Sequence, residues 1–289
     1  MEFTSILYPV LVFAGLGLLL GLILGYANDK FKVEVDERIP QVREALPGAN
    51  CGGCGYAGCD AYAEAVVQGL AKPNLCTPGG DASSSKIGEI MGLKVEAGEA
   101  KVAYVRCKGT CEVAKEKYDY EGIKDCNQAM VVPGTGAKSC TYGCLGLGSC
   151  IKVCNFGALE IKDGVAVVNK EKCVACGACV GACPKGLIDI VPKKALVLVQ
   201  CNSKAKGKEV MDACSVGCVS CSLCVKSCPK DAIEMVNNLP VIDYSKCVNC
   251  GICANKCPKH SIQNNRVVVK KNLEAKKIDN EENTQSSNK

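Results

Sequence analysis

The 289-residue sequence has no Trp, four Phe, a single His and only 4% aromatic residues. So few rings exclude a large aromatic core as the main source of stability. The lone His260 stands beside Lys259 at the edge of a cysteine motif and reads as a surface residue. No Ser/His/Asp or Cys/His set can be assembled around it. Residues 133–139, PGTGAKS, lack the full G-x4-G-K-[ST] spacing of a phosphate loop, and the GxGxxxG from Gly15 has no preceding strand to make a dinucleotide fingerprint. The sequence shows no site for organic chemistry.

What it has instead is 25 Cys. Cysteine this dense means disulfides or metal, and an odd total counts against a purely disulfide framework. The N-terminus decides the compartment. Ile6 to Ala27 is an uncharged, mostly aliphatic run of 22 residues, long enough to span a bilayer as one helix. A cleaved signal peptide fits poorly, because Glu2 replaces the usual basic residue, no A-x-A site follows and the run is too long. Lys30 and Lys32 follow the run and nothing basic precedes it, so the positive-inside rule puts the body in the cytoplasm of a single-pass protein of the cell membrane. Disulfides are rare there, and metal is favoured. Gly17, Gly21 and Gly25 lie on one face of the span, as in helices that pack closely in membranes, although Gly is common in such spans anyway.

The formal charge of +5 does not indicate nucleic acid. Lys and Arg are dispersed, and each oxidised [4Fe-4S] centre on four thiolates would add about −2.

The fold class expected is α+β. It comprises a transmembrane anchor (1–27), a connector (28–46), a small N-terminal iron–sulfur domain (47–99), two ferredoxin-type domains (100–193 and 194–269) and a disordered tail (270–289). The two ferredoxin-type blocks are a duplication with an offset of 74: Cys140, Cys144, Cys150, Cys154 and Cys173 map onto Cys214, Cys218, Cys224, Cys228 and Cys247. LEIKDGVAVV and IEMVNNLPVI read as hairpins, each preceding the second cysteine motif of its block.

Three stretches fit C-x2-C-x2-C-x3-C-P, the bacterial ferredoxin run: Cys173, Cys176, Cys179, Cys183; Cys218, Cys221, Cys224, Cys228; and Cys247, Cys250, Cys253, Cys257. Zinc sites use two separate cysteine pairs, so this spacing fits zinc poorly. In such runs the fourth Cys ligates the other cluster. That rule groups Cys218, Cys221, Cys224 with Cys257; Cys247, Cys250, Cys253 with Cys228; and Cys173, Cys176, Cys179 with Cys154. The companion set holds Cys144, Cys150 and Cys183, with Leu147 where another Cys is expected. This resembles the three-iron site of seven-iron ferredoxins, so a [3Fe-4S] centre is one reading, and filling of the gap by Cys140 is another. The expectation adopted is that Cys140 joins Cys107, Cys111 and Cys126 in an additional [4Fe-4S] site. Cys201 and Cys214 then read as buried remnants of a repeated ligand position. Cys51, Cys54, Cys59 and Cys76 form a further set around a glycine-rich loop, where Gly52, Gly53, Gly55 and Gly58 let backbone N–H groups approach cluster sulfurs. The total expected is five or six iron–sulfur clusters, mostly [4Fe-4S].

CGGCGYAGCDAYAEAV, Cys76 before PGG, the N-terminal span and the tandem ferredoxin motifs together resemble the B subunit of Rnf complexes, in the longer cysteine-rich form of anaerobes. The resemblance covers all but the tail; Leu147 and Asn155 depart from the usual Cys and Pro. It implies a membrane-bound, ion-translocating ferredoxin:NAD+ oxidoreductase in which this chain takes electrons from soluble ferredoxin and relays them to membrane subunits. NAD and flavin would sit in other subunits. Two other readings are a relay component of another membrane complex, such as a hydrogenase or quinone-linked reductase, and a membrane-anchored zinc protein. If the thiolate cages replace a conventional core, stripping the iron should unfold the body. Circular dichroism and limited proteolysis before and after chelation check this: retention of the folded signal in the apo chain contradicts it.

Overall fold

The computed structural model describes residues 3–30, 36–95 and 98–266; the expected tail, 270–289, lies outside them. Helix α1 (Phe3–Lys30) is the one described helix long and apolar enough to cross a membrane, and its Val10–Ala27 stretch is buried by no other part of the protein. The Leu and Ile side chains from Leu11 to Leu24 stand exposed, as lipid would require.

Three short helices then wrap one small core: α2 (Arg38–Ala45), α3 (Cys59–Val67) and α4 (Gly80–Met91). Val42, Tyr62, Val66 and Ile87 fill it together with Cys59 and Cys76. Tyr62 is the main organiser. Its hydroxyl donates to the Lys72 carbonyl at 2.7 Å and accepts from the Leu75 N–H at 3.2 Å, which fixes the loop carrying Cys76. Asn50 Oδ1 accepts from the Cys59 N–H at 2.8 Å and so starts α3 against the CGGCG loop.

The remainder is built from minimal strands. In chain order they are β1 (Lys101–Val105), then helices α5 (Cys126–Val131) and α6 (Ser149–Lys152), then β2 (Leu159–Lys162), β3 (Val165–Val168), α7 (Ala178–Ala182) and β4 (Ile188–Pro192). A second series follows: β5 (Val197–Val199), α8 (Gly207–Ala213), α9 (Leu223–Lys226), β6 (Ile233–Val236), β7 (Leu239–Ile242), α10 (Ile252–Asn255) and β8 (Ile262–Asn264). Among the described residues every sheet is a two-stranded antiparallel pair: β1 with β4, β2 with β3, β5 with β8, and β6 with β7. The hairpins read from the sequence are β2–β3 and β6–β7. Both turn residues of each have positive φ, Asp163 and Gly164 in the first, Asn237 and Asn238 in the second, as a type I′ turn demands. The outer pairs close each half by joining its first strand to its last, with Lys101 opposite Pro192 in β1–β4 and Val197 opposite Asn264 in β5–β8. Isolated two-stranded ribbons are marginal in water, so something besides strand pairing must hold these halves.

The three units touch at defined points. Ala114 bridges Cys214, and the Lys115 N–H donates to the Ala213 carbonyl, joining the second unit to the third. A Cβ added at Gly53 would stand 2.7 Å from the Cys176 carbonyl oxygen, and Thr77 Oγ1 donates to the Ala175 carbonyl at 3.4 Å, so the first unit sits directly on the second. Gly53→Ala should therefore force this seam apart at a cost of about 1–3 kcal/mol. Gly181→Ala, which meets nothing within 4 Å, is the neutral control. Denaturant midpoints of the iron-loaded proteins test the pair, and equal midpoints for the two variants would contradict the close approach.

Candidate functional site

The cysteines gather in sets of four around hollows. In the first unit α3 and the loop pinned by Tyr62 bring Cys51, Cys54, Cys59 and Cys76 together; the Cys76 thiol is pushed up by burial and by the neighbouring Cys59, Cys54 and Cys51. In the second unit α7 presents Cys179 beside Cys173, Cys176 and Cys154, and burial first, then those neighbours, push Cys179 up to about 11. In the third unit, one hollow is lined by Cys218, Cys221, Cys224 and Cys257, and another by Cys228, Cys247, Cys250 and Cys253. Three of these groupings are the ones that crossed ligation leads one to expect, and the first is the set read around the glycine-rich loop.

The other two differ from expectation. Cys144, Cys150 and Cys183 share their hollow with Cys126, not with an empty corner. Cys126 opens α5, whose first turn is capped by Asp125 accepting from the Asn127 and Gln128 N–H groups. The Cys126 N–H donates to Ser149 Oγ at 2.7 Å, tying α5 to α6, which carries Cys150. Lys152 bonds Asp125 at 2.9 Å and holds that carboxyl down to about 2, so cap and tie are fastened together. Burial and the close approach of Cys144, Cys126 and Cys183 push the Cys150 thiol up to about 12. Cys126, 21 residues upstream of the half-buried Leu147, thus brings a fourth sulfur to this hollow.

Cys107 and Cys140 line a cavity with Cys201 and Cys214, two from each ferredoxin-like half. Burial pushes the thiols of Cys140, Cys201 and Cys214 up. The expected set of Cys107, Cys111, Cys126 and Cys140 does not form. Cys111 is exposed, with its sulfur packed against the turn at Gly164, because its backbone is bonded to that hairpin through the Asp163 carbonyl. Cys201 and Cys214, expected to be remnants, are in the cavity. A signal for them was present in the sequence: Cys140 and Cys214 are equivalent in the duplication, each four residues before a motif, so a shared role at the junction was available to both.

These sets suit iron–sulfur clusters better than zinc. The C-x2-C-x2-C-x3-C-P runs that supply most of them are not the two separate cysteine pairs that tetrahedral zinc uses. Backbone N–H groups point at the sulfurs, as bound thiolates require. The same contact recurs four residues after three motif cysteines: Ala158 to Cys154, Leu187 to Cys183 and Ala232 to Cys228, each at 3.4 Å. Thiols raised by burial must lose their protons to ligate, and a coordinating metal ion achieves this outright.

Adjacent sets also touch one another. The Gly53 backbone abuts that of Cys176, Cys179 neighbours Cys150, the Cys144 N–H donates to Cys107 Sγ at 3.3 Å, and the Cys218 N–H donates to Cys201 Sγ at 3.3 Å. Cys224 neighbours Cys253. The six sets therefore follow one another in contact, from the unit that follows α1 to the end of the third unit.

Comparison with known proteins agrees with this chemistry. Residues 46–78 match a family described as an Fe-S cluster. Residues 138–188, 172–232 and 217–261 match families described as 4Fe-4S dicluster domains. The B subunit of the Na(+)-translocating ferredoxin:NAD(+) oxidoreductase complex of Acetobacterium woodii is 45% identical over 84% of this chain and 73% of its own length. The B subunit of the proton-translocating ferredoxin:NAD(+) oxidoreductase complex of Clostridium ljungdahlii is 44% identical over 83% of this chain and 85% of its own. The B subunit of the ion-translocating oxidoreductase complex of Methanosarcina acetivorans is 42% identical over 72% and 79%. A chain with iron–sulfur domains along its body and this degree of identity over most of its length belongs to the B-subunit family of the ion-translocating ferredoxin:NAD+ oxidoreductase, or Rnf, complexes, and is an iron–sulfur electron-transfer subunit.

Proposed function

We propose that this chain is the ferredoxin-accepting arm of its complex, with six four-cysteine clusters in series, a cytoplasmic body, and domains at 47–99, 100–193 and 194–269. The observation that carries the reading is the succession of six cysteine sets, each touching the next. The clusters would supply one-electron storage at each set. The protein supplies the spacing, the exclusion of water and the N–H donors.

Entry is assigned to the third unit. Lys226, Lys230 and Lys256 are exposed there, as are the apolar Leu223, Val248 and Ile252. A cationic rim around apolar contacts suits a small acidic carrier protein, whose approach it would steer. Exit is assigned to the first unit, whose α2 follows α1 in the sequence. The Ile6–Ala27 stretch contains no acidic or basic residue, so passage of the coupling ion is assigned to partner subunits.

Cys126 replaces the ligand lost at Leu147, and the site is a four-cysteine one rather than a [3Fe-4S] centre. On this reading Cys126→Ala loses iron or yields a three-iron EPR signal, while Cys111→Ala and Leu147→Cys leave iron and sulfide counts at the wild-type value. A gain of iron in Leu147→Cys would restore the three-iron reading. For entry, stopped-flow mixing of the full-length detergent-solubilised chain with reduced ferredoxin should show bleaching that slows as salt rises. Lys226→Glu with Lys230→Glu should slow it roughly tenfold at low salt. Rates indifferent to both salt and charge reversal would remove the donor assignment.

A further inference from the structure

Lys138 is 5% exposed. Its ammonium donates to the Gly109 carbonyl at 2.7 Å and the Gly164 carbonyl at 2.7 Å, and among the described residues it has no carboxylate within ion-pair distance. Two neutral carbonyls are poor compensation for a charge taken out of water. Some anion nearby must balance it.

The anion is indicated by what surrounds Gly109. Lys138 lines the same cavity as Cys107, Cys140, Cys201 and Cys214. The Gly109 N–H donates to Cys107 Sγ at 3.4 Å, and a Cβ at Gly109 would lie 3.5 Å from that sulfur and 3.7 Å from Cys214 Sγ. One residue therefore contacts two sulfurs on one side and the ammonium through its carbonyl. Four thiolates around a [4Fe-4S] core leave about −2 at that place, in a site of low dielectric where a fixed charge acts strongly. The other charges at the cavity do not cancel the effect. Lys108 and Glu209, of opposite sign, line its exposed rim; Lys185, donating to the Thr135 and Thr141 carbonyls, adds a cation next to Cys140, Arg106 lies near Cys201, and Lys138 itself also lies near Cys144 of the adjoining set.

We propose that Lys138 is a positioning residue for electron transfer: the fixed counter-charge of the Cys107/Cys140/Cys201/Cys214 centre, raising its reduction potential so that the junction between the two ferredoxin-like halves holds an electron in preference to its neighbours. This rests on the reading of that quartet as a cluster site. A positive charge favours the form carrying one more electron; the electron comes from an adjacent centre, and no proton or bond change accompanies it.

The alternative role for Lys138 is a staple between the loop at Gly109 and the β2–β3 turn. The experiment separates the two. In the full-length protein, Cys201→Ala identifies the EPR signal of this centre by its loss; if no iron and no signal are lost, the cluster reading itself fails. Potentiometric titration of Lys138→Met and Lys138→Gln, the latter keeping an N–H donor for the carbonyls, then follows that signal. The expected result is at least a tenfold rise in its oxidised-to-reduced ratio at fixed potential, equivalent to a midpoint about 59 mV lower for a one-electron couple. The adjoining Cys126/Cys144/Cys150/Cys183 centre moves the same way by less, the other centres stay in place, and Lys138→Arg retains the wild-type midpoint. An unchanged midpoint in whichever neutral variant loads its full iron, or an equal shift of all centres, overturns the proposal. So does failure of both neutral variants to retain this signal, because that outcome assigns Lys138 to the staple.

Discussion

Four sulfurs held around a hollow, contributed by segments distant in sequence, are the constraint on which this protein depends. Its strands are three to five residues long and pair only two at a time, and its aromatic content is slight. Such ribbons bury too little to offset the chain entropy of ordering them. Cysteine cages compensate by fixing distant segments to one inorganic core, so the same groups that store electrons also close the loops. Stability and function cannot be separated here: the buried cysteines form part of every cluster-bearing core, alongside Val, Ile and Leu.

That constraint also explains what was legible in the sequence. The ferredoxin runs are local, with three ligands within seven residues, and their fourth ligand follows from the crossed ligation of paired runs. The type I′ hairpins were readable because Asp-Gly and Asn-Asn announce positive φ. The apolar run of α1 was readable from length and composition. What could not be read was long-range partnership. Cys126 pairs with Cys150 because Ser149 receives its N–H, a contact that spacing does not encode. Cys107 and Cys140 meet Cys201 and Cys214 because the excursion between β1 and α6 crosses to the other half, where Ala114 bridges Cys214. Sequence spacing grouped Cys107, Cys111, Cys126 and Cys140 by proximity along the chain, and the fold distributes them among three different surroundings.

The backbone donors add a second layer of control. The i to i+4 N–H contacts at Cys154, Cys183 and Cys228 repeat with the motif, so they give those centres a similar local field. At the junction the pattern changes: Cys107 receives from both Gly109 and Cys144, Cys201 receives from Cys218, and a lysine is buried alongside. Differences between stations therefore arise at the set that draws its cysteines from both halves.

On the proposed reading, a cluster held by two cysteines from each half is a weld as well as a relay. The rest of the seam relies on short backbone ties such as Ala114 with Cys214. Oxygen that destroyed this centre would interrupt the circuit and loosen the mechanical joint in one event. The arm would then fail as a fuse does, by parting in the middle, and the outer half could no longer deliver electrons into a damaged complex.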